Sequence, residues 1–445
     1  MKPTYRCLLC CVVVLLAWPV AVLAQDAATD TLDSPANQLT IDASLLTRGE
    51  LRHGGLPMLD GTVHENAQFV MERTRLALSY RRGQWLQARV TAQHAGIWGQ
   101  AGRGSFNLYE AWARIQASCG LFATVGRQEL NYDDERILGR NDWAMAAMSH
   151  DAIKMGYEGH GHKAHVILAY NQRSDADQGN SIYRTSDGAY PHRSMIAAWY
   201  HYDVPTVPLG ASLMFIDMGM QNPYMENPPT HHQQLFGCYA RWQPTKWNFE
   251  GAYYRQCGHD EFGIPIEAWM ASAKADFSPN DRWTLTAGYD HLSGDPNPVV
   301  PHIGTIGMAL HTKVQGFSVV FGSHHKFYGA MDFFYASAYY AGYTPGLQNL
   351  YAQVSCKPVK RLGLMAGYHH LATSSRILDA RRKLGDELEL SAAYSISNDV
   401  KLAAGYTYMH GTSTLERLQQ QEGRNKLHWG WLMLTVSPRL FNVKW

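Results

Sequence analysis

The densest run of residues that could do chemistry is an 18-residue block from Gly126 to Trp143, in which arginines and acidic residues interleave. Arginine guanidinium groups bind carboxylates through paired hydrogen bonds, so such a block can recognise anions or hold a segment in place. The block also contains apolar residues, which a fully solvated loop would not need. We therefore interpret residues 131–149 as a charged loop folded against the inner wall of a pore, where it would form a constriction. The alternative is a solvated surface loop. The charged candidates in this block are Arg127, Glu129, Asp133, Asp134, Glu135, Arg136, Arg140 and Asp142.

A second set of charged residues lies on segments in which polar and apolar residues alternate. Such alternation places all polar side chains of a strand on one face, which would be the inner face of a pore. An excess of arginine and lysine there would attract anions. The alternative for any single residue is pairing with a neighbour across the wall, which would serve only stability. The inward candidates are Arg73, Arg75, Arg89, Arg114, Lys154, Lys163 and Lys401, against Glu110, Glu250 and Glu389.

The sequence contains no motif for catalysis, metal binding or cofactor binding. It has no H-E-x-x-H, no G-x-S-x-G and no P-loop. The histidine pairs, such as His231-His232, would point to opposite faces of a strand and chelate poorly. The net charge of +1 gives no indication of a nucleic-acid partner. We therefore predict no metal, no cofactor and no enzymatic activity. The cysteines after the first 24 residues look incidental, although a Cys238–Cys257 bridge stays open.

The elements that must position these residues are short alternating segments. In one of them, Leu86, Ala88 and Val90 share a face, whereas Gln87 and Arg89 share the other. No run of 18 apolar residues follows the N-terminal segment, so membrane-spanning helices are excluded. Closed sheets are the remaining way to cross a bilayer with every backbone group paired. A soluble β-propeller or β-helix would show a fixed repeat, which is absent. The sequence therefore predicts an all-β fold, a transmembrane antiparallel β-barrel.

We count about 18 strands, although 16 is also compatible with the pattern. Short turns alternate with longer connections, as expected for periplasmic turns and extracellular loops. The predicted strands lie near 40–53, 67–81, 84–97, 106–117, 121–130, 150–158, 162–172, 192–203, 209–218, 231–243, 246–257, 264–276, 282–292, 347–357, 361–373, 384–396, 399–410 and 425–437.

The two ends of the chain have distinct compositions. Residues 1–24 start with Lys2 and Arg6, continue as an apolar run and end on small residues, which predicts a signal peptide for secretion. Residues 25–38 are polar and small, and we expect a flexible periplasmic lead too short to be a plug. The barrel would cover 39–445. Near its end, Pro438 interrupts the last strand, so either that strand ends near Val436 or Pro438 sits at a bulge.

The charged block resembles the central motif of the alginate export family of outer-membrane barrels. The matching residues are Gly126-Arg127-Gln128, the run from Tyr132 to Arg136, Asp142-Trp143 and His150-Asp151-Ala152. Further similar stretches are spread over 67–373 and resemble members from Bacteroidetes-type bacteria. One departure is that the chain has His94 and Gly96 where we expect an aspartate and an arginine. The resemblance implies a porin-like channel in the outer membrane.

The largest insertion is the segment 293–346, which is rich in glycine, histidine and aromatic residues. It could be an extension at the level of lipopolysaccharide or a stacking surface for sugars. For the whole chain we predict passive passage of a polar or anionic solute, such as an oligosaccharide or an alginate-like polymer. The expected partners are outer-membrane lipid, lipopolysaccharide and that solute. The alternatives are a plugged surface-binding barrel and an outer-membrane hydrolase.

Overall fold

Alternating side chains give each segment one face for an interior and one for the surroundings, and the structure folds every such segment into a strand. This computed structural model describes residues 37–54, 66–100, 104–171, 192–222, 225, 228–295, 312–331, 344–377, 380–419, 423 and 425–445. The predicted signal peptide, most of the predicted lead, and residues 296–311 and 332–343 of the large insertion lie outside this description.

The strands form a closed antiparallel barrel of 18 strands, as predicted. The first half comprises β1 (Asn37–His53), β2 (Asn66–Arg82), β3 (Leu86–Ile97), β4 (Ser105–Gln116), β5 (Leu121–Gln128), β6 (His150–Gly159), β7 (His162–Tyr170), β8 (His192–Asp203) and β9 (Leu209–Gln221). The second half comprises β10 (Thr230–Trp242), β11 (Trp247–His259), β12 (Pro265–Asn280), β13 (Trp283–Leu292), β14 (Leu347–Val359), β15 (Leu362–Ala372), β16 (Lys383–Ser395), β17 (Val400–Gly411) and β18 (Lys426–Val436). A short helix, α1 (Ser413–Gln419), lies between β17 and β18.

The barrel closes where β1 pairs with β2 on one edge and with β18 on the other. After Ser437 and Pro438 the chain resumes as β19 (Arg439–Lys444), which continues the pairing with β1. Within β19 the register shifts by one residue, because Ile41 faces Phe441 whereas Asp42 faces Arg439. β18 ends at Val436, as one of the two predictions had it, because proline cannot donate to the ladder. The bulge lies two residues after Pro438, at Leu440, which stands unpaired between Arg439 and Phe441.

The outer face of the wall is apolar over most strands. Leu76, Leu78, Val90, Ile115 and Leu213 are all exposed there, as the period of two requires. Tryptophans near the ends of barrel strands are expected in an outer aromatic band, but two of them lie inside instead. Trp429 is fully buried in the interior, where its indole N–H donates to Glu50 Oε2 at 2.9 Å, and Trp431 shares its face of β18.

The hydrophobic core lies inside the barrel. Two segments enter the lumen there, residues 129–149 between β5 and β6 and residues 312–331 between β13 and β14; we call them the first and second inner segments. They meet in a short parallel bridge between Leu138 and Phe321. Their apolar residues pack against inward residues of β7 to β12, among them Ile167, Met195, Ile216, Leu235 and Met270. One side of the lumen is therefore filled, and the polar side chains of the remaining strands line the rest.

Candidate functional site in the barrel lumen

The first inner segment is held to the wall by cationic and amide side chains that bind its main-chain carbonyls. Arg48 Nη1 donates to Trp143 O at 3.0 Å, and the guanidinium also lies 4.1 Å from the centre of the Trp143 ring. Arg73 Nη1 donates to Asp142 O at 3.1 Å. Gln93 Nε2 donates to Ala146 O at 2.9 Å. The two bonds from arginine are charge-assisted, and all three fix the segment to strands β1, β2 and β3.

Beside this attachment lies a cavity of about 610 Å³ bounded by β1 to β3, β17 and β18. Its lining carries five cations and two carboxylates. The cations, which we call the basic wall, are Arg48, Arg73, Arg75, Arg89 and Lys401, and the carboxylates are Asp42 and Asp142. The side chains become more exposed along the wall, from 5% for Arg73 to 15% for Arg75 and 33% for Arg89. Cations therefore outnumber carboxylates in the lining of this cavity.

The second inner segment is held in the opposite way, by carboxylates that accept from its main-chain amides. Ala330 N donates to Glu387 Oε1 at 2.6 Å and to Glu389 Oε1 at 2.8 Å, and Met331 N donates to Glu387 Oε2 at 3.4 Å. Gly329 precedes these residues with φ +92°, and a Cβ added there would lie 2.9 Å from Glu387 Oε1. Only glycine allows this close approach of backbone and carboxylate.

Arg136 joins the two segments to the wall. Its guanidinium is buried, and it pairs with Asp134 at 3.0 Å and with Asp290 of β13 at 2.9 Å. The same group lies 4.0 Å from the centre of the Phe327 ring of the second segment. Burial alone would lower the pKa of Arg136, but Asp290, Tyr328 and Asp134 together outweigh it and the pKa is raised. Arg136 therefore stays charged and acts as a structural clamp.

Asp133 anchors the other end of the first inner segment. Its carboxylate accepts from Ser212 Oγ at 2.5 Å and from Trp199 Nε1 at 3.1 Å. Burial raises the pKa of Asp133, although the two hydrogen bonds oppose the shift. The backbone here is left-handed, with φ +53° at Asp133 and +72° at Glu135. The segment thus turns tightly under a buried carboxyl group.

A second, smaller cavity of about 190 Å³ lies against β10 to β16. Its charged lining comprises four carboxylates and three cations: Glu250, Asp276, Glu389 and Asp134, with Lys274, Arg136 and Lys326. These carboxylates are already engaged, since Lys274 Nζ lies 3.0 Å from Glu250 and 3.5 Å from Asp276. We call this side the acidic wall.

The structure brings together only part of the predicted site. Arg73, Arg75, Arg89 and Asp142 meet at the basic wall, and Glu110 pairs with Arg89 at 2.6 Å. The other predicted residues lie elsewhere. Arg114 pairs with Glu158, Glu129 accepts a hydrogen bond from Tyr109, and Glu135 accepts one from Ser323. The anchors described above contain Asp133, Asp134 and Arg136, and Arg140 is exposed.

The predicted position of Arg127 in the lumen is wrong. Its side chain lies on the outer face of β5, where it pairs with Asp151 of β6 at 2.6 Å. The inner face of β5 carries the buried Phe122, Thr124 and Gln128, which alternate with it. Arg127 therefore does not line the lumen.

Sequence reasoning also missed residues. Arg48 and Glu387 were not singled out, although each occupies an inward position in the alternation of its strand. The alternation was the available signal, since Leu46, Arg48 and Glu50 share the buried face of β1.

Within the described residues, no group of three histidine, cysteine, aspartate or glutamate side chains could hold a metal ion. No helix there is long and apolar enough to cross a membrane. The cysteines described, including Cys238 and Cys257, are free thiols, so the bridge left open above is not formed.

Comparison with known proteins assigns this barrel. The sequence model of the alginate export family matches residues 60–379, which is more than half of the chain. The chain belongs to the alginate export family. No curated protein sequence matches it significantly.

Solved structures support the architecture of this alginate export family member. The barrel resembles OccK9 (OpdG) of Pseudomonas aeruginosa with a TM-score of 0.60 at 12% identity, covering 90% of this chain and 98% of that chain. It resembles the outer membrane protein OpdK of the same organism with a TM-score of 0.60 at 8% identity, covering 92% and 99%. It also resembles OprD of that organism with a TM-score of 0.58 at 11% identity, covering 91% and 96%. At these identities the likeness concerns the fold alone.

The family and the closed barrel together make the chain an outer-membrane channel for passive passage of solutes, rather than an enzyme.

Proposed function

We propose that solutes pass along the basic wall and that the channel prefers solutes bearing carboxylate groups, such as acidic oligosaccharides. The observation that carries this proposal is the cavity of about 610 Å³ with five cations and two carboxylates in its lining. In a lumen with low-dielectric walls, such an excess of one sign raises the local concentration of the opposite charge.

The first inner segment is the proposed constriction of this path. Its Asp142 and Trp143 line the same cavity as Arg73 and Arg75. The core between the two inner segments fills part of the interior opposite, where the cavity against β10 to β16 is only about 190 Å³. The larger of these two spaces is thus on the side of the lumen on which the cations are exposed.

The same proposal places the apolar outer face in lipid. The outward pair of Arg127 and Asp151 follows Val125 and Ile153, which are exposed on that face. Because β5 ends at Gln128, the pair lies near the end of the wall. A charged pair at that height fits the headgroup level of lipid or lipopolysaccharide.

Liposome swelling tests the preference. Vesicles containing the refolded channel are placed in glucuronate or in glucose, two solutes of similar size that differ in charge. We expect faster entry of glucuronate at low ionic strength, because salt screens exposed charges. The double variant Arg75→Gln/Lys401→Gln should lose the preference, whereas the matched outer-wall variant Arg127→Gln should keep it. Equal entry of both solutes into wild-type vesicles would contradict the proposal.

A further inference from the structure

Asp142 is the most exposed charged side chain among the contacts of the first inner segment with the basic wall. Its Oδ1 lies 3.1 Å from Arg73 Nη1 and 3.2 Å from Arg75 Nη1, so one oxygen bridges two guanidinium groups. The Asp142 side chain is 46% exposed, whereas those of Arg73 and Arg75 are 5% and 15% exposed. A carboxylate in this position neutralises two largely buried cations from the solvent side.

Arg75 is only partly satisfied by these contacts. Its Nε donates to Gln93 Oε1 at 2.7 Å, and its Nη1 donates to Asp142. The face of the guanidinium lies 3.8 Å from the centre of the Tyr109 ring. Its Nη2 is shielded from solvent and has no hydrogen-bond partner among the described residues. A shielded donor without an acceptor is costly, and an added carboxylate oxygen would satisfy it.

We infer that Arg73 and Arg75 form a binding seat for a solute carboxylate, and that Asp142 occupies this seat when no solute is present. This inference rests on the proposed function, since it specifies how the basic wall handles an anion. An arriving carboxylate displaces the Asp142 side chain toward solvent, accepts from Arg75 Nη1 and Nη2, and is itself displaced when Asp142 returns.

Exchange of one carboxylate for another explains why the seat can be strong without trapping the solute. An arginine buried without a counter-ion is destabilising, so an empty seat would raise the affinity for any anion and slow its release. A channel needs binding that is favourable enough to admit the solute and weak enough to let it leave. Asp142 supplies this balance, because Arg73 and Arg75 are paired before, during and after passage.

The wall can keep the segment in place while the side chain moves. Arg73 Nη1 also donates to the main-chain oxygens of Asp142 and Ala144, at 3.1 and 3.4 Å. Arg48 and Gln93 hold Trp143 and Ala146 in the same manner. The carboxylate of Asp142 can therefore leave the seat without releasing the backbone of the first inner segment.

The test is block of single-channel current by glucuronate in a planar bilayer. Asp142→Asn removes the competing charge but keeps the main-chain bonds, and we expect the dissociation constant for block to fall about three- to tenfold, mainly through a slower off-rate. Asp142→Glu keeps a carboxylate near the seat, so glucuronate should block this variant with the same dissociation constant as wild type. Asp151→Asn, which removes the same charge from the outer wall, should also match wild type.

Unchanged or weaker block in Asp142→Asn, with heat-modifiable migration confirming a folded barrel, would overturn the inference. Equal block of the wild-type channel by glucuronate and glucose would instead contradict the proposed function. A third arm, Arg75→Gln, should abolish glucuronate block in both the wild-type and the Asp142→Asn backgrounds. Block that persists without Arg75 would place the seat elsewhere and contradict the assignment.

Discussion

The two inner segments are attached to the barrel by opposite chemistry. The first segment presents carbonyl oxygens to Arg48 and Arg73, whereas the second presents amide groups to Glu387 and Glu389. In both cases a charged side chain of the wall satisfies backbone groups that have no strand partner. Buried backbone polar groups need such partners, so an inward loop dictates charges in the wall facing it.

The difference lies in what remains after this attachment. Glu387 is fully buried beneath the second segment, and the acidic wall is engaged with Lys274. On the basic wall, Arg89 stays one-third exposed, and Lys401 also faces the cavity. Among the described residues, the charges of the lumen thus divide into those that hold the inner segments and those that stay exposed to the cavity, and the basic wall contributes to both kinds.

The largest effect on stability is expected at Arg136, the side chain that contacts both inner segments. Arg136→Met should lower the free energy of unfolding by about 3–5 kcal/mol, because Asp290, only 1% exposed, would lose its cation. Urea unfolding of the barrel in lipid vesicles measures this change. The double variant Arg136→Met/Asp290→Asn should recover most of the loss, and a loss below about 1 kcal/mol in the single variant would refute the clamp.

The second-largest effect is expected at the attachment of the second inner segment. Glu387→Ala removes acceptors from Ala330 N and Met331 N, and we expect a loss of about 1–3 kcal/mol together with noisier single-channel current. Glu387→Gln keeps an acceptor oxygen and relieves repulsion with Glu389, so it should behave much like wild type. If alanine and glutamine variants were equally noisy, the amide–carboxylate attachment would not be what holds the segment.

A smaller and pH-dependent effect is expected at Asp133 of the first segment. Its raised pKa means that the folded state favours the protonated form, so its contribution to stability is lost as pH rises through that pKa. Asp133→Asn should match wild type near pH 4 and become progressively more stable than wild type toward pH 8. Parallel stability profiles of the two proteins across this range would contradict the assignment.

The smallest effect is expected on the outer wall. Arg127→Gln removes a half-exposed ion pair with Asp151, worth at most about 1 kcal/mol. It should leave the ion selectivity of the channel unchanged, as read from reversal potentials. A change in selectivity would contradict the placement of Arg127 on the outer face and indicate that it lines the lumen.

The fold was predictable because each strand carries its own signal. Alternation located the eighteen strands, and Pro438 marked the interruption after the last one. The inward positions of Arg73, Arg75 and Arg89 follow from the same period of two. The sequence also suggested an inward loop, since Ile137 and Leu138 interleave with charges, and both residues are buried in the lumen core.

Other features depend on which strands and segments face each other, and a local pattern does not contain this. Trp429 and Trp431 resemble outer aromatic residues, yet the inner surface of β18 receives them because it meets Trp143 of the first segment. The role of Glu387 depends on a segment more than 50 residues away in the chain. The motif that contains Arg127 does not show its face, whereas its odd spacing from Thr124 and Gln128, which share the inner face of β5, places it outside.

The preference of the channel is tested most directly by the reversal potential of the wild-type protein in a planar bilayer under a potassium chloride gradient. An anion-selective potential that grows as the ionic strength is lowered is the result that the exposed basic wall predicts. A cation-selective potential, or no conductance from a correctly folded barrel, would contradict a passage along Arg75, Arg89 and Lys401.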